Sequence, residues 1–137
     1  MSPPFLSAAV LHGHAAHSDA LCDAIADDAG FRVVGGTNDA AGTLQLLATK
    51  TVHVLVIDVA TAGDEAPEFI SAVRAASPRT GILLLVHGQG APLLEELMAR
   101  GAGGYLDVAR TGTDLAGALR TIGMGRRYVP AVTAGAG

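Results

Sequence analysis

The sequence predicts an α/β fold: one open, parallel, five-stranded sheet with helices on both faces. Three observations carry this. Short runs rich in Val, Ile, Leu and Phe alternate with segments whose apolar residues recur at helical spacing. Three of the runs are apolar at nearly every position, which suits strands covered on both faces rather than on one. The chain has 137 residues, 50% of them hydrophobic and 16% charged, enough for one domain with a real core and too apolar for a disordered chain.

The strand-like runs are Phe5–Leu11, Phe31–Val34, Val52–Ile57, Ile82–Val86 and Tyr105–Leu106. Between the first two, Ser18 or Asp19 is placed to cap a helix carrying Leu21, Ala24 and Ile25 inward and stopping at Gly30. Asp39 is placed to cap a second helix, with Leu44, Leu47 and Ala48 on one face. Pro67 opens a third, with Phe69, Ile70 and Val73 inside, ended by Ser77-Pro78. Pro92 stands in the first turn of a fourth, in which Leu93, Leu94, Leu97 and Met98 alternate with Glu95, Glu96 and Arg100. Thr113 is placed to cap a fifth, with Leu115, Leu119 and Ile122 facing in and Gly123 at its end. Right-handed crossovers then favour the flavodoxin-like strand order 2-1-3-4-5.

Composition excludes several classes of function. Nine Lys and Arg against thirteen Asp and Glu give a net charge of −4, with no basic surplus for a phosphate backbone. Trp is absent and aromatics are 4%, so base-stacking platforms are not expected. Cys22 is the only cysteine and cannot form an internal disulfide; it is expected as a buried structural thiol in the first helix, with no basic neighbour to lower its pKa. No apolar run approaches the roughly 20 residues of a membrane span, and Met1-Ser2-Pro3-Pro4 lacks a basic leader region. A cytoplasmic location without membrane contact is the expectation.

In such a sheet, ligands bind at the carboxyl ends of the strands, where strand order reverses. The loops that should converge there carry His12, Gly13 and His14 after strand one, Asp58 after strand three, Val86-His87 after strand four and Leu106-Asp107-Val108 after strand five. Asp58 is the sharpest feature, a carboxylate emerging directly from Val54-Leu55-Val56-Ile57. It suits a nucleophile or ligand at the switch point, and equally a cap or turn residue.

Three stretches resemble one family. They are Val54-Leu55-Val56-Ile57-Asp58 with Gly63 five residues on, Gly101-Ala102-Gly103-Gly104-Tyr105-Leu106, and Asp114-Leu115 with Ala118-Leu119, leading to Gly125-Arg126-Arg127-Tyr128-Val129. In order and at this spacing, they are similar to the receiver domain of bacterial two-component response regulators (CheY-like), in particular the type that precedes a LuxR-like helix-turn-helix. The resemblance covers about Phe5 to Ala131. It implies a receiver unit over residues 1–130, with residues 131–137, rich in Ala and Gly, as a flexible tail or linker toward an output domain. It also implies Asp58 at the phosphoacceptor position, Tyr105 at the position of a switch aromatic, a signalling and dimer surface on the fourth helix, fifth strand and fifth helix, and a sensor kinase as a possible partner.

A receiver of this family needs helpers that this chain lacks. The acidic pair that joins the acceptor Asp in holding Mg²⁺ falls on His12 and Gly13, and no Asp or Glu precedes Asp19. The Ser or Thr position falls on Val86, and residues 81–110 contain neither. The Lys position falls on Val108, and the only lysine is Lys50, before strand three. Without cation, hydroxyl or amine, a dianionic phosphoryl donor meets a carboxylate unneutralised. His12, Gly13, Val86, His87 and Val108 therefore form a degenerate pocket. It is expected to be small and dry, with Asp58 solvated at its rim or bonded to His12 or to loop amides. The expectation is an atypical receiver (pseudo-receiver) acting by dimerisation or by contact with a protein or ligand, without Mg²⁺ or another cofactor. The fragment itself contains no helix-turn-helix and is not expected to bind nucleic acid.

Other readings stay open. Asp58 can accept a phosphoryl group with unusual helpers, or the domain can be a small-ligand-binding flavodoxin-like module. His12, His14 and His17, with His87 and Asp58, have ligand types for a transition metal but no closed metal-site spacing; the bland alternative has His12 bonded to Asp58 and His14 and His17 solvated. Contact between His12 and Asp58 would raise the His12 pKa. His53 is expected at a strand edge. Catalysis lacks its groups: no Ser stands at a strand end, and Gly35-Gly36 is not a dinucleotide-binding loop.

Overall fold

The computed structural model describes residues 5–28, 30–87 and 94–129. Five parallel strands, β1 (Leu6–Leu11), β2 (Phe31–Thr37), β3 (Val54–Asp58), β4 (Gly81–Val86) and β5 (Gly104–Asp107), form one sheet in the order β2-β1-β3-β4-β5. Five helices connect them: α1 (Ala15–Ala26), α2 (Ala40–Thr49), α3 (Ala66–Ala76), α4 (Leu94–Ala99) and α5 (Thr111–Gly123). A single helical turn, Val59–Ala62, and the short 3₁₀ turns Gly63–Glu65 and Val108–Arg110 complete the architecture.

Alternation along the buried strands separates two cores. Leu55, Ile57, Ile82 and Leu84 face one side, where Leu47, Phe69, Ile70, Val73 and Leu97 cover them. Val54, Val56, Leu83 and Leu85 face the other, beneath Ile25, Leu115, Leu119 and Ile122. Period-two side chains on strands wrapped from both faces explain the unbroken apolar runs. α4 has only six described residues and is pinned by the fully buried Leu97; burying such a side chain contributes about 1.5–3 kcal/mol. None of the described helices is long and apolar enough to cross a membrane.

Several element boundaries differ from the sequence expectation, each for a physical reason. β2 runs on to Thr37, because Gly35 and Gly36 pair with Ala9 and Val10 instead of turning. A Cβ at Gly35 would lie 3.0 Å from Leu46, and one at Gly36 would lie 3.0 Å from Ser18 Oγ, so both glycines admit helices packed tightly on the strand. Ser18 is accordingly not a cap; it is buried inside α1, which starts at Ala15 after His14 and has no side-chain cap. Ala24 and Ala48 are exposed and Leu21 is half-buried, while Thr43 takes the inward position on α2. Asp39 caps α2 by accepting the Gly42 N–H at 2.7 Å, and Pro67 stands in the first turn of α3, as expected. β3 starts at Val54, so His53 precedes it and accepts the Ser7 N–H at Nδ1, 2.8 Å away. Thr113 lies inside α5, which begins two residues earlier. Cys22 is half-buried rather than buried; burial still pushes its thiol pKa up, opposed by a hydrogen bond from Ser18 and reinforced by Asp19 and Asp23. The expected roles of Met1–Pro4, Pro92, Leu93 and residues 131–137 lie outside the described residues.

Gly104 is where the segment after α5 joins the sheet. Tyr128 runs beside β5, donating its N–H to Gly103 O (3.0 Å) and accepting the Tyr105 N–H (3.2 Å). A Cβ at 104 would stand 2.0 Å from the Tyr128 carbonyl oxygen. We expect Gly104→Ala to lower stability by about 1–3 kcal/mol in urea unfolding, in line with overpacked core sites; an unchanged midpoint would show that residues 126–129 do not dock on β5.

Candidate functional site

The carboxyl ends of β1, β3 and β4 meet at Asp58. Leu11 is in register with Ile57, and Asp58 with Leu85, so the residues just past each strand end surround one point. The four residues before Asp58 are buried, and Asp58 itself is only 3% exposed. A buried carboxylate needs partners, and both of its oxygens have them. Oδ2 accepts two hydrogen bonds from Thr61, from the hydroxyl at 2.6 Å and from the backbone N–H at 3.1 Å. Oδ1 is 2.7 Å from His87 Nε2. Thr61 Oγ1 in turn accepts the Gly13 N–H at 2.8 Å, tying the loop after β1 to the same anchor.

Thr61 was not singled out by the sequence reading, yet the signal was there. Asp58-Val59-Ala60-Thr61 has N-cap to N3 spacing, and Asp58 caps the turn Val59–Ala62. The expectation that His12 would hydrogen-bond Asp58 is corrected: His12 Nε2 stands 3.8 Å from Oδ2, beyond hydrogen-bond range. The His14 N–H donates to His12 Nδ1 at 3.0 Å, which fixes the ring so that neutral His12 carries its proton on Nε2. His87, one residue beyond β4, reaches back to take the place expected of His12, and half of its side chain remains exposed. Of the three settings expected for Asp58, it is neither solvated nor bonded to His12; it is bonded to a loop amide, that of Thr61, and also to the Thr61 hydroxyl and His87.

Burial alone pushes the Asp58 carboxyl up, but the hydrogen bonds from Thr61 and His87, with the nearby charges of His12 and His87, outweigh it and hold the carboxyl below the usual range. The rise expected of the His12 pKa depended on a bond to Asp58 that does not form. Burial lowers its pKa, Asp58 raises it, and His17, His14 and His87 lower it further, so the net direction is down.

The other pocket positions are apolar or neutral. Val86 is 5% exposed, and Val108 is half-buried against the core beneath α1 and α5. Asp107, in register with Val86, adds a second carboxylate to this edge and caps the turn Val108–Arg110 by accepting the Ala109 N–H at 2.8 Å. Tyr105 is half-buried against the core that contains Leu97 and Met98. His14 and His17 are exposed and stack at 4.5 Å, with His12 edge-on to His17 at 5.2 Å. Among the described residues no group of three or more His, Cys, Asp or Glu is arranged to hold a metal ion.

No family model matches the chain, and no curated protein matches it. Solved structures do. The isolated receiver (REC) domain of RcsB from Salmonella enterica serovar Typhimurium, in the apo form, superposes with a TM-score of 0.82 at 20% identity, covering 92% of this chain and 93% of that one. The signal receiver domain of the putative response regulator NarL from Mycobacterium tuberculosis gives 0.81 at 23% identity, covering 90% and 100%. A LuxR family DNA-binding response regulator from Silicibacter pomeroyi gives 0.75 at 19% identity, covering 92% and 97%. What the chain shares with these receivers is the fold, in the strand order read from the sequence.

Thr61→Val removes the shortest bond to Asp58 while keeping the side chain's shape. Asp58 ionises below its ordinary pKa of 3.8, so its bonds stabilise the fold above that pH and are lost as pH falls through the folded-state value. We expect the variant to lose about 1.5–3 kcal/mol in urea unfolding at neutral pH, as for a hydrogen bond to a charged group, and to approach the parent as pH falls and the Asp58 carboxyl is protonated. A deficit unchanged along the whole acid series would show that the threonine's contribution is packing alone.

Proposed function

We propose that the chain is a receiver domain of response-regulator type that does not take up a phosphoryl group by the Mg²⁺-dependent route, and that it signals by dimerisation or by contact with a protein partner. The observation that carries this reading is the engagement of both Asp58 oxygens by Thr61 and His87. A phosphoacceptor needs a free carboxylate oxygen and positive charge to offset the incoming dianion. Here the oxygen is taken, and Val86 and Val108 stand where a hydroxyl and an amine would be needed. Without a hydroxyl at position 86 to draw it inward, Tyr105 has one stable setting and the output face is held constitutively.

The two imidazoles beside Asp58 support the second reading, a phosphorylatable Asp58 with unusual helpers. That reading requires them to be cationic, and the lowered pKa of His12 opposes it at neutral pH. The dimer part rests on the fold likeness. One RcsB structure is of two dimers bound to two parallel DNAs, and this chain covers 65% of that chain's length at 19% identity. DNA contact would then belong to a segment beyond the receiver fold, and a sensor kinase would be dispensable.

Incubation with acetyl phosphate and Mg²⁺, followed by intact mass spectrometry, tests the reading. We expect no added phosphoryl group on the parent chain. An adduct that disappears in Asp58→Asn would establish the second reading instead.

A further inference from the structure

The opposite edge of the sheet, at the amino ends of β4 and β5, holds a cavity of about 490 Å³. Arg74, Arg79, Arg126 and Arg127 line it, four of the chain's nine basic residues, and no Asp or Glu does. Met98 and Met124 form part of the remaining wall, with Met124 67% exposed. Among the described residues the ion pairs of Arg100, Arg110 and Arg120 lie elsewhere, and none of the four cavity arginines has a carboxylate within the 4.0 Å of an ion pair.

The ordinary reason for arginines at such an edge is to cap helix C-termini, whose carbonyls carry partial negative charge. Backbone amides already do that here. At the end of α5 the Gly125 N–H reaches Ile122 O (3.0 Å) and the Arg126 N–H reaches Thr121 O (3.0 Å), with Gly125 at φ +84. At the end of α4 the Gly101 N–H reaches Met98 O (3.1 Å) and the Ala102 N–H reaches Leu97 O (3.2 Å), with Gly101 at φ +119. Only Arg74 bonds a carbonyl, donating from Nη1 to Thr80 O at 3.0 Å. It also lies flat on Gly101, where a Cβ would approach its Cγ to 3.1 Å and its Nε to 3.2 Å. Arg74 is thus a fixed floor, while Arg79, Arg126 and Arg127 are exposed and, among the described residues, their guanidinium groups have no hydrogen-bond partner. This local concentration of positive charge, in a chain of net charge −4, makes the cavity attractive to anions.

We propose that this cavity binds a phosphorylated small molecule of nucleotide size, its phosphates on the arginines and its apolar part against Met98 and Met124. Guanidinium forks match phosphate oxygens in pairs. The volume lies within the range of small-ligand sites, and a concave site with an apolar wall favours a compact ligand over a polyanion running across a flat surface. The cavity is remote from Asp58, so this proposal stands whether or not Asp58 is phosphorylated.

Amide chemical shifts of the ¹⁵N-labelled protein, titrated separately with ADP, inorganic pyrophosphate, adenosine and a short DNA duplex, test it. We expect ADP to move the amides of Gly101, Gly103 and Gly125 with saturation below about 1 mM, pyrophosphate to move the same amides more weakly, and adenosine to leave them in place. The exposed double substitution Arg126→Gln with Arg127→Gln should weaken ADP at least about tenfold, as the loss of charged hydrogen bonds requires, without moving the amides around Asp58. Silence with both ADP and pyrophosphate, full ADP affinity in the double variant, or tighter binding of the duplex than of ADP would each overturn the assignment.

Discussion

A carboxylate buried at the end of the central strand constrains everything around it. Asp58 is taken out of water by β3 and its neighbours, and an ion so placed must be met by donors. Thr61 meets one oxygen and His87 the other. Once those bonds form, the loop after β1 is fixed through Gly13, the turn after β3 is fixed by its cap, and the residue following β4 is drawn over the strand end. In the function proposed here, the geometry that stabilises the fold also withdraws the carboxylate from phosphoryl chemistry: an acceptor must be left under-coordinated by protein for a cation to complete it, and protein donors meet both Asp58 oxygens.

The two ends of the sheet gather different side chains. The carboxyl edge holds Asp58 and Asp107 with neutral or apolar companions at positions 12, 13, 86 and 108. The amino edge collects Arg74, Arg79, Arg126 and Arg127 around a cavity. A net charge of −4 averages over this separation and conceals it. Exclusion of nucleic-acid binding from net charge therefore applies to the chain as a whole and says little about a single cavity lined by one sign of charge.

The sheet was legible because burial on both faces leaves a direct mark on sequence. Runs such as Ile82–Val86 read directly as covered strands, and the Asp39 and Pro67 signals are local, so strand order and the starts of α2 and α3 followed. Gly35-Gly36 misled because a glycine pair resembles a turn, while here it serves the close approach of Leu46 and Ser18, a tertiary fact. Ser18 misled for the same reason: it is an inward-facing residue with the composition of a cap. At the site, Asp58 and the apolar substitutions at 86 and 108 were visible as positions. The choice of His87 over His12 was not, because it rests on tertiary distances: His12 Nε2 stops 3.8 Å from Oδ2, while His87 Nε2 reaches Oδ1 at 2.7 Å. Thr61 was visible in principle, three residues after an acid at a strand end, and needed only to be read as part of a cap. The arginine cavity was not visible, since its members come from three separate stretches of the chain.

The most direct measurement is the side-chain carboxyl ¹³C resonance of Asp58 followed as Mg²⁺ is added at neutral pH. If Thr61 and His87 hold both oxygens, the resonance stays in place, and it moves only when Thr61 or His87 is substituted. A saturable shift or broadening with Mg²⁺ in the parent chain would mean that the carboxylate is free to bind the cation, and the sequestered-acid description of this site would be wrong.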